Sequence, residues 1–228
     1  NGAAKPTLVP IVAGVLAPTS GRARIGELEL ARIPEPERAR RIALVPQRTD
    51  LAFPYSVREF VSFGGRVAGR SAESLVDPAL ELLELSTRAR DALTELSAGQ
   101  QQRATLARAL VQARAVPGRK IEPDPARVLL ADEPIGAMDP RHAARAMEIF
   151  ENLAQAGLAV VVVLHDFTLA ARHAHDAILL TADGRVQAHA AAEGVLNPDG
   201  LRDAFGVPFL RYGSGSEGAL VPARVPLA

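Results

Sequence analysis

The 228 residues are 48% hydrophobic, which is enough to bury a sizeable core in one α/β domain or a domain with an insertion. Formal net charge is zero, so no global electrostatic case exists for binding nucleic acid or an anionic membrane. Cysteine is absent, which excludes disulfides and thiolate metal sites and fits a reducing compartment.

The chain opens Asn1-Gly-Ala-Ala-Lys5-Pro, and Thr7 to Val15 reads as a short helix; Pro10 should kink it or end its first turn. Arg22 to Leu30 alternates as a strand or hairpin arm. Pro34 and Pro36 bracket a loop into the arginine-rich segment Arg38 to Arg41. Ile42-Ala-Leu-Val-Pro46 is a short strand ending at Gln47. Ser56-Val-Arg-Glu59 has the spacing of a capping box before an apolar helix, Phe60 to Phe63, which Gly64-Gly65 should break. Residues 73–95 carry helical periodicity through Leu75, Leu80, Leu83 and Leu85.

Ser97 is placed to cap a helix over Gln100 to Leu110, and a polar, proline-rich connection from Pro117 to Pro125 leads into the strand Val128 to Asp132. Arg141 to Ala156 is an amphipathic helix. Leu158 to Leu164 reads as the most convincing buried strand of the chain, and is too short to cross a bilayer. A further helix, a strand at Ala177 to Thr181 and a hairpin through Asp183-Gly184 follow. The stretch from Gly213, rich in Gly, Ser and Pro, reads as a loose tail. Strands alternating with helices predict an α/β fold with a mainly parallel sheet and flanking helices. No secretory signal pattern is present at the N-terminus.

Two stretches concentrate the chemistry. Leu96-Ser-Ala-Gly-Gln100 sets a glycine-containing turn at a helix start, where backbone N–H groups and the Ser97 hydroxyl can receive a phosphate. A plain helix cap accounts for the same residues when they are taken alone. Val128-Leu-Leu-Ala-Asp132-Glu133-Pro134 ends a strand in two carboxylates, where an open α/β sheet keeps its ligands, although a solvated turn has the same composition. His165 is an ordinary strand-end histidine in isolation, and gains meaning from the valine run before it and from Asp132-Glu133 upstream. His142, His173, His175 and His189 read as surface residues. On a helix the side chains of His173 and His175 diverge.

Together, from Asn1 to about Tyr212, these stretches resemble the nucleotide-binding subunit of an ATP-binding cassette (ABC) transporter. Asn1 to Thr7 (Asn1, Gly2, Ala3, Ala4, Lys5, Pro6, Thr7) aligns with the end of the P-loop and Val45-Pro-Gln47 with the Q-loop. Leu96 to Gln100 (with Ser97, Ala98, Gly99, Gln100) aligns with the signature. Asp132-Glu133 matches Walker B, Ala137-Met-Asp139 the D-loop, and Leu164-His165-Asp166 the switch histidine.

The resemblance implies a P-loop NTPase-like fold over 1–212 with a helical insertion at about 49–93, followed by a flexible tail at 213–228. ATP and Mg²⁺ are the implied cofactors. Asp132 would hold Mg²⁺ through water, with Gln47 reaching the same ion. Glu133 would polarise the attacking water and His165 would contact the γ-phosphate. The signature would act in trans, which implies a homodimer or heterodimer of ATPase subunits. Membrane permease subunits are the further implied partners, with no nucleic acid and no direct membrane insertion. The implied location is the cytoplasmic face of the inner or plasma membrane. Phe53-Pro-Tyr-Ser-Val-Arg-Glu59 and Glu193-Gly-Val-Leu-Asn-Pro-Asp199 are similar to the ATPases of iron–siderophore, haem and vitamin B12 importers.

The sequence also departs from the family. Ala4 stands where the P-loop has glycine, and Pro6 replaces the hydroxyl residue after the lysine, removing an N–H donor and a Mg²⁺ ligand. Ala98 stands at a usual glycine of the signature. The preceding strand and the antiparallel N-terminal subdomain are expected to be largely missing. Two accounts remain open beside an ATP-hydrolysing importer subunit: a nucleotide-impaired interaction subunit, or a gene fragment. A soluble, non-transport ABC protein is a third alternative, disfavoured by the lack of heptads or duplication.

Overall fold

The computed structural model describes residues 5–48, 53–67, 73–118, 127–181, 183–213 and 218–224. Two compact units are present, one formed by 11–163 and the other by 1–10 with 164–228. The chain begins with α1 (Lys5–Val12). It starts two residues before the expected helix and contains Pro10 without ending there. Pro6 lies in its first turn, where a missing N–H has no helical partner to lose.

In the larger unit, the expected strand near Arg22 is a minimal antiparallel hairpin, β1 (Arg24–Ile25) with β2 (Leu28–Glu29). The loop expected at Pro34 and Pro36 is instead α2 (Glu35–Arg41). Both prolines lie at the helix start, where proline is tolerated. Glu35 and Glu37 in the first turn and Arg38, Arg40 and Arg41 in the last complement the helix dipole. The arginine cluster is therefore helix chemistry.

A parallel sheet in the order β3 (Ile42–Val45), β4 (Val128–Asp132), β5 (Ala159–Val163) forms the centre of this unit. Its flanking helices give the mainly parallel α/β architecture that the alternation of elements predicts. The register sets Val45 opposite Ala131 and Asp132 opposite Val163. Strand β4 is central, with Leu129, Leu130 and Ala131 fully buried. Strand β5 departs from the buried strand expected of a valine run: Val161 is 45% exposed. Among the described residues, β5 is hydrogen-bonded to β4 alone, so one edge has no ladder partner.

Between β3 and β4 lie α3 (Val57–Val67), α4 (Glu73–Leu82) and α5 (Ala98–Ala113). The capping box at the start of α3 forms as its spacing predicts. The Ser56 N–H donates to Glu59 Oε2 at 2.9 Å, and the Glu59 N–H donates to Ser56 Oγ at 3.2 Å. The break expected at Gly64-Gly65 does not occur; α3 runs on to Val67. Gly64 serves close packing instead. A Cβ there would lie 2.2 Å from the Arg108 carbonyl oxygen and 2.9 Å from the Gln112 nitrogen, so α3 touches α5 backbone to backbone.

The helical periodicity of 73–95 is only partly realised. Helix α4 stops at Leu82, Glu84 takes a left-handed φ of 54°, and the Leu85 N–H closes back on the Leu80 carbonyl at 2.8 Å. This is a Schellman-type end. Two single-turn 3₁₀ segments, Ser86–Arg88 and Leu93–Glu95, complete the stretch.

Arg108 fixes α5 against both neighbours. Its guanidinium lies 5.2 Å from the Phe60 ring centre, and Nη2 donates to the Leu44 carbonyl at 3.2 Å. Burial lowers its pKa from the ordinary arginine value. Gln112 adds two bonds, to the carbonyls of Ala39 (2.9 Å) and Ile42 (3.0 Å). These buried polar bonds hold the strand that leads to Gln47. Helix α6 (Pro140–Gln155) covers the stretch read as amphipathic and buries Ala146, Ile149, Phe150 and Leu153.

The second unit contains α7 (Phe167–His173) and the hairpin β6 (Asp176–Leu180) with β7 (Val186–Ala191). It continues with α8 (Ala192–Val195), α9 (Pro198–Phe205) and the pair β8 (Phe209–Tyr212) with β9 (Ala219–Pro222). Its core gathers Leu179, Val195, Leu196, Leu201, Phe209 and Leu220, with the Phe167 ring 5.1 Å from Phe205 and 5.5 Å from Phe209. Strand β9 corrects the loose tail expected over 213–228, since Leu220 is buried and Ala219–Pro222 pairs antiparallel with β8. Pro222 can end this strand because it needs no ladder donor there. Residues 214–217 and 225–228 lie outside the described residues.

Candidate functional site

Parallel neighbours finish at the same edge of a sheet. The β3–β4 register therefore brings Gln47 and Glu133 together just beyond the strands' carboxyl ends, although 86 positions separate them in sequence. The Gln47 Nε2 donates to Glu133 Oε2 at 2.8 Å. An ionised carboxylate only accepts, so the amide nitrogen faces it and leaves the amide oxygen as the group able to ligate a cation. Asp132, half-buried, is the last residue of β4. Glu133 then turns the chain with φ 48°, its N–H donating to the Val163 carbonyl at 3.0 Å. A left-handed residue without glycine's freedom costs about 1 kcal/mol or more, so the bonds around it matter.

No group of three or more His, Cys, Asp or Glu side chains suited to a metal is found among the described residues. Asp132 and the Gln47 amide supply oxygen donors of the type Mg²⁺ takes. That ion commonly uses one or two protein ligands and fills its shell with water and phosphate oxygen. The donor set therefore fits Mg²⁺.

The signature residues form the start of α5. Ser97 is its N-cap: Oγ accepts from the Gln100 N–H at 3.3 Å, while Gln100 Oε1 accepts from the Ser97 N–H at 2.9 Å. The cap reading and the phosphate reading are compatible, because a hydroxyl that accepts one bond still has a proton to donate. Ser97→Ala is expected to cost about 1 kcal/mol in urea unfolding, through the lost cap. Ala98 is exposed. Gly99 lies against the turn after β4; a Cβ there would be 2.7 Å from the Ala137 carbonyl oxygen. The space at this glycine is filled within the same chain.

Asp139 has an evident local task as the N-cap of α6. It accepts from the His142 N–H at 3.0 Å, and its other oxygen is 2.6 Å from His142 Nδ1. The backbone N–H first, and the imidazole second, hold its carboxyl below the ordinary range. His165 belongs to the second unit, exposed and two residues beyond the end of β5. The next residue, Asp166, caps α7 by accepting from the Leu169 N–H at 2.9 Å. Of the P-loop positions, Asn1, Gly2, Ala3 and Ala4 lie outside the described residues, while Lys5, Pro6 and Thr7 form the first turn of α1.

Two residues near the site were not singled out from sequence. Arg108 gives no sign of its burial in a helix that also carries Arg103. Gln102 binds the turn containing Glu133 from both ends, yet in the run Gln100-Gln-Gln it reads only as a good helix former. Its spacing from Gly99, three residues along one helix face, was the available signal.

A protein-family model described as ABC transporter matches residues 1–117. The Hemin import ATP-binding protein HmuV of Bordetella parapertussis is 37% identical over 212 residues, covering 91% of this chain and 79% of the relative. The protein of the same name from Rhodopseudomonas palustris is 39% identical, covering 91% and 75%. Among solved structures, a metal-chelate type ABC transporter in an inward-facing conformation superposes with a TM-score of 0.76. At 23% identity it covers 98% of this chain and 84% of that one, and it shows the fold. A dimeric ATP-binding cassette in a post-hydrolysis state, bound to ADP and Pi, reaches a TM-score of 0.67 at 27% identity, covering 82% and 80%.

Proposed function

The chain belongs to the ABC transporter family, and from that premise we propose that it is the ATP-binding and ATP-hydrolysing subunit of an importer for a metal chelate of the haem type. The observation that carries this reading is the Gln47–Glu133 hydrogen bond at the carboxyl edge of two adjacent parallel strands. It joins a candidate Mg²⁺ ligand to a candidate base at the position where such sheets bind ligands. The name shared by the relatives from Bordetella and Rhodopseudomonas supports haem as the chelate.

In this reading Asp132, through water, and Gln47 would hold Mg²⁺, which would supply charge neutralisation for the phosphates. Glu133 takes a proton from the attacking water and Gln47 fixes the orientation of its carboxylate. His165 donates to the γ-phosphate, and Lys5 contributes positive charge at the β/γ-phosphates. The backbone N–H groups of Asn1, Gly2, Ala3, Ala4, Lys5 and Thr7 would face those phosphates, while Pro6 has none to offer. Ser97, Ala98, Gly99 and Gln100 meet the nucleotide of a second subunit, with Asp139 near the same junction. The fold of the dimeric cassette supports that pairing.

No helix among the described residues is long and apolar enough to cross a membrane. The proposed attachment is to permease subunits, through the helical insertion at about 49–93. Support comes from its aromatic edge: Phe53 is 63% exposed, Tyr55 lies 5.9 Å from it, and Phe63 meets Tyr55 edge-on at 4.8 Å. Such rings suit an apolar helix presented from outside. The location that follows is the cytoplasmic face of the membrane.

Ala4 and Pro6 favour one other reading, an interaction subunit that binds nucleotide poorly. Calorimetric titration with Mg-ATP decides between them, run with and without EDTA and beside the double substitution Ala4→Gly, Pro6→Ser. Micromolar binding by the unaltered chain, weakened by EDTA, is the expected result. Binding by the substituted chain alone would assign the interaction role, and binding by neither folded protein would overturn the proposal.

A further inference from the structure

Glu133 is held at its carboxylate by Gln47, and its unusual backbone must be held as well. The residue turns with φ 48° directly after a buried strand, in a conformation that non-glycine residues rarely keep unsupported. The turn from Glu133 to Ala137 has one weak internal closure, from the Gly136 N–H to the Glu133 carbonyl at 3.3 Å. The Glu133 N–H is tied to the Val163 carbonyl at 3.0 Å and the Met138 N–H to the Ile135 carbonyl at 3.0 Å, and α5 adds a restraint that spans the turn. Gln102 Nε2 donates to the Glu133 carbonyl at 3.0 Å, and its Oε1 accepts from the Ala137 N–H at 2.9 Å. One planar amide thus bridges the first and last residues of a five-residue turn. A side chain that donates at one end and accepts at the other is needed for this, and its length must fit.

The approach of α5 makes that reach possible. Gly99 and Gln102 are three residues apart and share a helix face. At Gly99 the helix backbone lies so near the turn that an added Cβ would be 2.7 Å from the Ala137 carbonyl oxygen. Gly99 sets the distance and Gln102 makes the bonds. The amide is neutral, so it fixes the turn without adding a charge beside Asp132 and Glu133.

We propose that Gln102 is a positioning residue for the hydrolytic carboxylate, clamping the Glu133–Ala137 turn so that Glu133 is presented at the strand edge in one orientation. This deepens the ATPase reading and rests on it for the role of Glu133. The clamp acts through the turn and does not touch the substrate.

The test compares Gln102→Leu and Gln102→Glu with the unaltered chain, using solvent exchange of the Ala137 amide by NMR and steady-state ATP hydrolysis. Gln102→Leu removes both bonds. The Ala137 amide is expected to exchange about five- to tenfold faster, and kcat to fall about tenfold with KM for ATP unchanged. Gln102→Glu keeps an acceptor for Ala137 but cannot donate to the Glu133 carbonyl. Ala137 exchange should then return to its original rate while kcat stays low. The core amides of Leu129 and Leu130 report on the fold and should not change in either variant.

Unaltered Ala137 exchange in Gln102→Leu would overturn the clamp. So would equal loss of protection in both variants, or loss that extends to Leu129 and Leu130, since those results mark general packing. If the unaltered chain hydrolyses no ATP, the ATPase reading fails, and the exchange pattern still decides whether Gln102 clamps the turn.

Discussion

Glu133→Gln is expected to lower the single-turnover rate of ATP hydrolysis by about 10²- to 10³-fold, with ATP affinity unchanged. The substitution keeps the shape of the side chain. Its amide oxygen can still accept from Gln47 Nε2, so the 2.8 Å contact across the strand ends has a partner. What disappears is the negative charge and the capacity to take a proton from water. Rapid quench measures the hydrolysis step and fluorescent-nucleotide titration measures the affinity. A rate within about threefold of the unaltered chain would remove Glu133 from the role of general base, since a positioned base contributes far more. A simultaneous loss of affinity would instead point to a displaced turn, the result that Gln102 is placed to prevent.

Gly64→Ala is expected to destabilise the larger unit by about 3 kcal/mol or more, lowering Tm by about 10 °C. The added methyl group would meet main-chain atoms, the Arg108 carbonyl oxygen at 2.2 Å and the Gln112 nitrogen at 2.9 Å. Main chain in the middle of a helix cannot rotate aside as a side-chain tip can, so α3 and α5 must separate. That separation would also pull on Arg108, which joins α5 to the Phe60 ring and to the Leu44 carbonyl. Gly194→Ala is the control, because a Cβ there has nothing within 4 Å. Scanning calorimetry that finds equal melting for both variants would disprove the backbone-contact account of α3 and α5.

Much of the candidate site was legible because its parts are local in sequence. Ser97 with Gln100 and Ser56 with Glu59 each act over three residues, within one helical turn. Spacing alone reveals such pairs. The order of motifs from Asn1 to Asp166 identified the family, and the relatives bear that out. The clamp at Gln102 was not legible, because a glutamine on a helix carries no mark of what lies across from it.

The places where the structure departs from the sequence-based expectations have a common cause. Gly64-Gly65 looked like a break because glycine weakens an isolated helix by roughly 1 kcal/mol per residue relative to alanine. Contact with α5 outweighs that cost. The valine run of β5 looked buried, yet burial depends on which strands lie on either side, and only β4 is paired with it among the described residues. Ala219–Pro222 looked loose by composition, yet it pairs with β8 and buries Leu220.

The sequence by itself determined the alternation of strands and helices and the caps that start α3 and α5. Hydrogen bonds and hydrophobic periods within a few residues decide those features. Only the tertiary structure decided that Gln47 meets Glu133 across a parallel register, that Gln102 spans the turn and that Gly64 is a contact point. Each joins residues distant along the chain. Their meeting depends on how crossover helices pack against the sheet, a result of the whole core and not of any one segment.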